Sequence, residues 1–118
     1  MKVMLSWYGV KDFEQSKKFY SEVLGLQKTT EMPGWAEFGH SKDDATIGVN
    51  GSPRDGVEPG ATVVLQVDNV ESERKRLESR GVKFEGKIEE VGGVVKIATF
   101  RDPSGNRLQL CQVLMQQS

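Results

Sequence analysis

The chain has a single cysteine, Cys111, and a single histidine, His40, in 118 residues. A lone cysteine cannot close an internal disulfide, so a disulfide-stapled secreted domain is excluded. A reduced, cytoplasmic setting is the expectation, although a secreted protein without disulfides would share this composition. Charge of one sign is also missing, with 16 basic side chains against 17 acidic ones and a net charge of −1. That balance gives no electrostatic basis for holding nucleic acid or an anionic membrane surface. The apolar runs are no longer than strands, and the first residues lack the charged-then-apolar order of a signal peptide. What remains is a chain long enough for one compact domain that buries a core without disulfide or metal.

Residues Val3 to Val10 are rich in β-branched, aromatic and aliphatic side chains and read as the first strand. Asp12 followed by Gln15 has the pattern of a helix cap with a partner three residues on. Phe13, Tyr20, Val23 and Leu24 then recur at helical spacing, and Gly25 closes the helix. Strands are expected at Leu26 to Thr30, Trp35 to His40 and Ala45 to Asn50, with turns at Pro33-Gly34 and Lys42-Asp43-Asp44. Gly51 to Gly60 is the one linker-like stretch, and beyond it the order begins again. Ala61 to Val67 is a strand, Asp68 or Asn69 caps a helix reaching about Arg80, and strands follow at Lys83 to Glu89, Val94 to Phe100 and Arg107 to Val113. Gly92-Gly93 reads as a hairpin turn, and the charged run Glu71 to Arg80 as an exposed helix face. Two rounds of strand, helix and three strands make an internal repeat. A shift of 57 positions lays Val67-Asp68-Asn69 on Val10-Lys11-Asp12 and Leu77 on Tyr20. A weaker overlay, Ala98 and Phe100 on Ala36 and Phe38, places Gln109 near Ile47.

The most informative stretch is Phe100-Arg101-Asp102-Pro103-Ser104-Gly105-Asn106-Arg107-Leu108-Gln109-Leu110. Pro103 presets its φ, Gly105 or Asn106 can take a positive φ, and Asp102 can accept from nearby amides, so the physics is a hairpin into an alternating strand. This wording, together with the opening phrase that runs from Val10-Lys11-Asp12-Phe13-Glu14 to Leu24-Gly25-Leu26, closely resembles the vicinal oxygen chelate superfamily of glyoxalases, bleomycin-resistance proteins and extradiol dioxygenases. The resemblance covers nearly the whole chain. It implies an α+β fold of two βαβββ modules forming an incomplete eight-stranded barrel, in a single glyoxalase-like domain spanning 1–118, with modules at about 1–51 and 61–118 and a linker at about 52–60. It also implies a ligand on the concave side, and a homodimer.

Enzymes of that superfamily use a divalent metal as a Lewis acid. Carried onto this chain, the resemblance places the ligand positions at Leu5, Thr62, Gln109 and either Ile47 or Gly48. It also implies that Leu5, Thr62 and Gln109 converge on one concave surface. Leucine cannot ligate, threonine is a poor neutral ligand and glutamine a weak one, so the metal site is expected to be lost, with no cofactor. A residual site would need His40, Glu37, Glu89, Glu90 or Cys111. His40 reads as solvated at a strand end, and Cys111, two residues from Gln109, as a small buried side chain on the same face. Trp7 shares the strand face of Leu5, and Trp35 opens a central strand on a face the pattern leaves open; either is a ligand platform or a core or dimer contact. Glu85, Glu89 and Glu90 form either a cation-attracting patch or a solvated strand edge. The expected function is sequestration of a planar or amphipathic small molecule by Leu5, Trp7, Trp35, Thr62, Gln109 and Cys111, without catalysis. The alternatives are a divergent metal-dependent glyoxalase-like lyase or dioxygenase, and a purely structural or regulatory dimer.

Overall fold

The computed structural model describes residues 1–51 and 60–114, so most of the expected linker lies outside the described residues. The chain divides into two compact units, Met4–Ala61 and Thr62–Ser118, the latter with Met1–Val3. Each unit has the βαβββ plan, and the fold is α+β as the sequence implies.

The first unit is built from β1 (Lys2–Gly9), α1 (Phe13–Lys18), a π-helical turn (Phe19–Val23), β2 (Gln27–Met32), β3 (Trp35–Gly39) and β4 (Thr46–Asn50). Its strands lie in the order β2-β3-β4-β1, with β1 and β4 parallel and the other pairs antiparallel. Asp12 caps α1 by accepting from the Gln15 amide at 3.0 Å, satisfying one of the donors that a helix start leaves open. Buried Ala36, Phe38 and Val49 form the core with Val10, Phe13, Tyr20 and Leu26 against them, and Tyr20 stacks on Phe38 with centroids 5.7 Å apart.

Sequence periodicity fails at the end of this helix. Val23 and Leu24, expected on the buried face, are 71% and 52% exposed. The cause is the change of winding after Lys18: the Leu24 amide donates to the Phe19 carbonyl, five residues back, at 3.0 Å. A π turn holds more residues than an α turn, so side chains beyond Tyr20 rotate off the stripe that 3.6-residue spacing predicts.

The second unit repeats the plan with β5 (Thr62–Gln66), α2 (Val70–Glu78), β6 (Phe84–Val91), β7 (Val95–Arg101) and β8 (Arg107–Val113), in the order β5-β8-β7-β6. The α2 start is held twice. Asn69 Oδ1 accepts from the Ser72 amide at 2.8 Å, and Gln112 Oε1, from β8, accepts from the Val70 amide at 3.0 Å. Val67, Val70, Ala98, Phe100 and Leu110 are the core, with Leu77 packed against it, so Leu77 and Tyr20 occupy matching places in the two units, as the 57-residue shift implies.

The loop between β7 and β8 is organised by Asp102. Its Oδ1 accepts from the Ser104 and Asn106 amides at 2.9 Å each, and its Oδ2 from Asn106 Nδ2 at 2.9 Å. Gly105, at φ 91°, takes the left-handed conformation the turn requires. Hydrogen bonds from the Asn106 side chain and amide, and then from the Ser104 and Gly105 amides, hold the Asp102 carboxyl below its ordinary range. A carboxyl depressed in the fold contributes stability above its unfolded pKa, near 4, and loses it as pH falls through the folded value. Asp102→Ala should therefore lower the melting temperature at neutral pH, and the gap to wild type should narrow as pH falls from about 7 to about 3. Circular-dichroism melts showing a constant gap would contradict this role.

Candidate functional site

In each unit the core clusters on the helix side of the sheet, and strand alternation sends the intervening residues to the other, open face. In the first unit Ala36, Phe38 and Val49 face the helix, so Trp35, Glu37 and Gly48 face away. Backbone register adds their neighbours: Gly48 lies beside Glu37 on β3 and beside Trp7 on β1, and Thr46 beside Leu5. Trp35 and Glu37 therefore share the face of Leu5 and Trp7, which settles the orientation that the sequence pattern left open.

These side chains make one connected group. Trp35 Nε1 donates to Glu37 Oε2 at 2.9 Å, and Thr46 Oγ1 donates to Glu37 Oε1 at 2.9 Å. The two indoles meet edge to face, centroids 6.2 Å apart and planes at 68°, an arrangement that aligns positive ring edge with negative face. Gly48 is the permissive element beneath them. A Cβ at this position would lie 2.6 Å from Trp35 Cη2, 2.7 Å from Cζ2 and 3.0 Å from Trp7 Cβ, so the Trp35 ring occupies the space where any other residue would have a side chain.

In the second unit Leu110, Ala98 and Phe100 face the helix, leaving Arg107, Gln109 and Cys111 of β8 and Thr99 of β7 on the open face. Gln109 Nε2 donates to Thr99 Oγ1 at 3.1 Å, and Arg107 Nε to Thr62 Oγ1 at 2.5 Å. Thr62 and Cys111 are both buried, so Cys111 shares the face of Gln109 and is enclosed, as expected. The register also fixes the counterpart of Gln109. Gln109 stands beside Val64 and Thr99 as Gly48 stands beside Trp7 and Glu37, so of the two candidates Ile47 and Gly48, it is Gly48.

None of the ligand positions named by the resemblance suits a metal. Leu5 and Gly48 offer no donor atom, Thr62 Oγ1 accepts from a guanidinium that would repel a divalent ion, and Gln109 is a neutral amide bound to a hydroxyl. The off-pattern candidates do not assemble either: His40 is exposed just past β3, Glu89 and Glu90 are exposed on β6 at the sheet edge, and Cys111 is enclosed on β8. Among the described residues no three His, Cys, Asp or Glu side chains are placed to share a metal ion. The donor set does not fit a divalent metal. Glu85 is already matched by Arg101 at 2.6 Å, which gives the acidic stretch the character of a solvated edge. A groove of about 330 Å³ beside Met1, Lys2, Gln66, Val67 and Asp68 contains none of the candidate residues.

Four participants were missed or undervalued in the sequence: Glu37, weighed only as an off-pattern metal ligand, and Thr46, Thr99 and Arg107, not considered. Their signal was present for Glu37, which alternates with Ala36 and Phe38 and follows Trp35 by two. Thr46, Thr99 and Arg107 carry no such mark, because their roles arise from strand pairing.

Comparison with known proteins agrees with this architecture. The family model described as Glyoxalase/Bleomycin resistance protein/Dioxygenase superfamily matches residues 4–110, and the chain belongs to that superfamily. Among solved structures it is similar to the hypothetical protein BH1468 from Bacillus halodurans C-125, with 14% identity, a TM-score of 0.76 and coverage of 99% of this chain and 97% of that one. Methylmalonyl-CoA epimerase from Mycobacterium tuberculosis superposes with a TM-score of 0.70 at 15% identity, covering 95% and 87% of the two chains. A superfamily member from Vibrio splendidus 12B01 gives 0.66 at 17%, covering 92% and 96%. At these identities the likeness is one of fold. No curated protein matches the sequence.

Gly48→Ala should displace the Trp35 ring, breaking its bond to Glu37, at a cost of about 1–3 kcal/mol for overpacking. Urea unfolding measures the cost and near-ultraviolet circular dichroism the lost indole asymmetry; a variant with wild-type stability and spectrum would contradict the packing.

Proposed function

We propose that the chain is a metal-free small-molecule-binding protein of the glyoxalase/bleomycin-resistance type, sequestering a planar or amphipathic compound without making or breaking bonds. The observation that carries this reading is the replacement of metal-ligand chemistry by an aromatic platform: at Gly48, where a donor would be needed, the ring of Trp35 lies across the strand beside Trp7. Two indoles at a steep angle offer a flat molecule one face to stack on and one edge to abut. Trp7 and Trp35 would supply the apolar contacts over the buried Leu5; in the second unit, taken by itself, Gln109 would offer a polar group over the buried Thr62 and Cys111. Solution as a homodimer in the cytoplasm, each chain forming a single glyoxalase-like domain, belongs to the same proposal. Phe19, Val23 and Leu24, exposed at 47%, 71% and 52%, support pairing as apolar surface left by the π turn. Sedimentation equilibrium giving the mass of one chain would count against it.

Purified protein should carry no stoichiometric Zn²⁺, Ni²⁺, Mn²⁺ or Fe²⁺, and chelator should leave its melting temperature unchanged, because a bound metal would be linked to stability. Acridine, as a flat neutral probe, should raise the melting temperature, by about 2.7 kcal/mol of stabilisation at 100 times its Kd. Trp7→Ala should weaken its binding by about 1–3 kcal/mol through lost stacking and burial. One tightly held metal per chain, with a turnover that chelator abolishes, would overturn the proposal in favour of a metal-dependent lyase or dioxygenase.

A further inference from the structure

We propose that the corner formed by Trp7, Trp35 and Glu37 selects flat ligands that carry a positive charge, with Glu37 as their counter-ion. The inference rests on the flat-ligand reading above and adds the charge of the ligand to it.

Glu37 is the ionisable group of this face. Its carboxylate is part-buried and held by two neutral donors, the indole N–H of Trp35 and the hydroxyl of Thr46, each at 2.9 Å. No basic side chain among the described residues pairs with it. That separates it from two other strand carboxylates, Glu85, matched by Arg101, and Glu31, matched by Lys28 and Lys17. Two neutral hydrogen bonds orient a carboxylate but leave its charge uncompensated, and a partly desolvated charge without a counter-ion is favourable ground for a cation. Each carboxylate oxygen has used one acceptor site and keeps another.

The aromatic neighbours favour the same sign. Indole is the strongest of the aromatic side chains at holding a cation over its face. Because the Trp35 N–H points at Glu37, the ring and the carboxylate lie side by side on the open face. A flat cation stacked on Trp35 would therefore meet negative ring potential and a carboxylate together. A flat neutral molecule would meet the stacking surface alone, and a flat anion would be repelled.

Isothermal titration calorimetry of the full chain at about pH 7.5, where free acridine is largely uncharged, tests this with N-methylacridinium, whose charge is fixed, against acridine. Wild type should bind N-methylacridinium at least about tenfold more tightly, the scale of a partly desolvated cation–π contact and ion pair. Glu37→Gln, which keeps the shape and the acceptor for Trp35, should remove most of that preference, read as the ratio of the two affinities measured on the same variant. Equal binding of the two probes by wild type, or a preference undiminished in Glu37→Gln, would overturn the inference and leave the flat-ligand reading standing. Binding of neither probe would remove that reading and the inference with it. The wild-type comparison decides by itself should the variant fold poorly.

Discussion

The open face of the first unit depends on one hydrogen bond and one missing side chain. Trp35 can lie across β4 only because Gly48 has no Cβ, and it stays there because its indole N–H is anchored on Glu37. A buried or half-buried indole needs a partner for its N–H, and the two-residue spacing along β3 puts the acceptor on the same face. Thr46 holds the second carboxylate oxygen, so the acceptor is itself positioned. Trp7, packed edge to face against Trp35, inherits its place from this arrangement.

The two units show how one supersecondary plan can be put to different use at matched positions. Gly48 and Gln109 correspond by register, as do Glu37 and Thr99. In the second unit the amide of Gln109 binds the hydroxyl of Thr99, and Arg107 binds Thr62, a set of neutral and cationic groups. In the first unit the corresponding set is a carboxylate held by one indole and a threonine, with a second indole packed against the first. A superfamily scaffold associated with metal chemistry here presents hydrogen-bonded polar groups on one unit and an aromatic, acidic corner on the other. Neither offers the convergent anionic or imidazole donors that a divalent ion requires.

Much of the fold could be read from the residues because it rests on local rules. The Asp12 cap, the Asp102 loop with Gly105 at positive φ and the strand alternation around Leu110 are each decided by a few neighbouring side chains. The repeat was legible because the helix-side residues of both units keep their spacing. What escaped was non-local or broke a period. The π turn at Phe19–Val23 moved Val23 and Leu24 to the surface with no glycine or proline to announce it. The overlay that put Gln109 near Ile47 was one residue off, because β3 and β7 are related by a shift of 62 while β4 and β8 are related by 61. A one-residue slip in a strand exchanges its two faces, and that slip left Gly48, whose missing side chain admits Trp35, undecided against Ile47.

The most direct measurement is the ¹H–¹⁵N resonance of the Trp35 indole, assigned with the help of Trp7→Phe. An indole proton bound to a carboxylate should lie downfield and exchange slowly with solvent. Glu37→Ala should move it upfield and speed its exchange, with a much smaller effect on the Trp7 indole. A Trp35 resonance that exchanges freely in wild type and does not respond to loss of Glu37 would contradict the arrangement on which the aromatic, acidic corner depends.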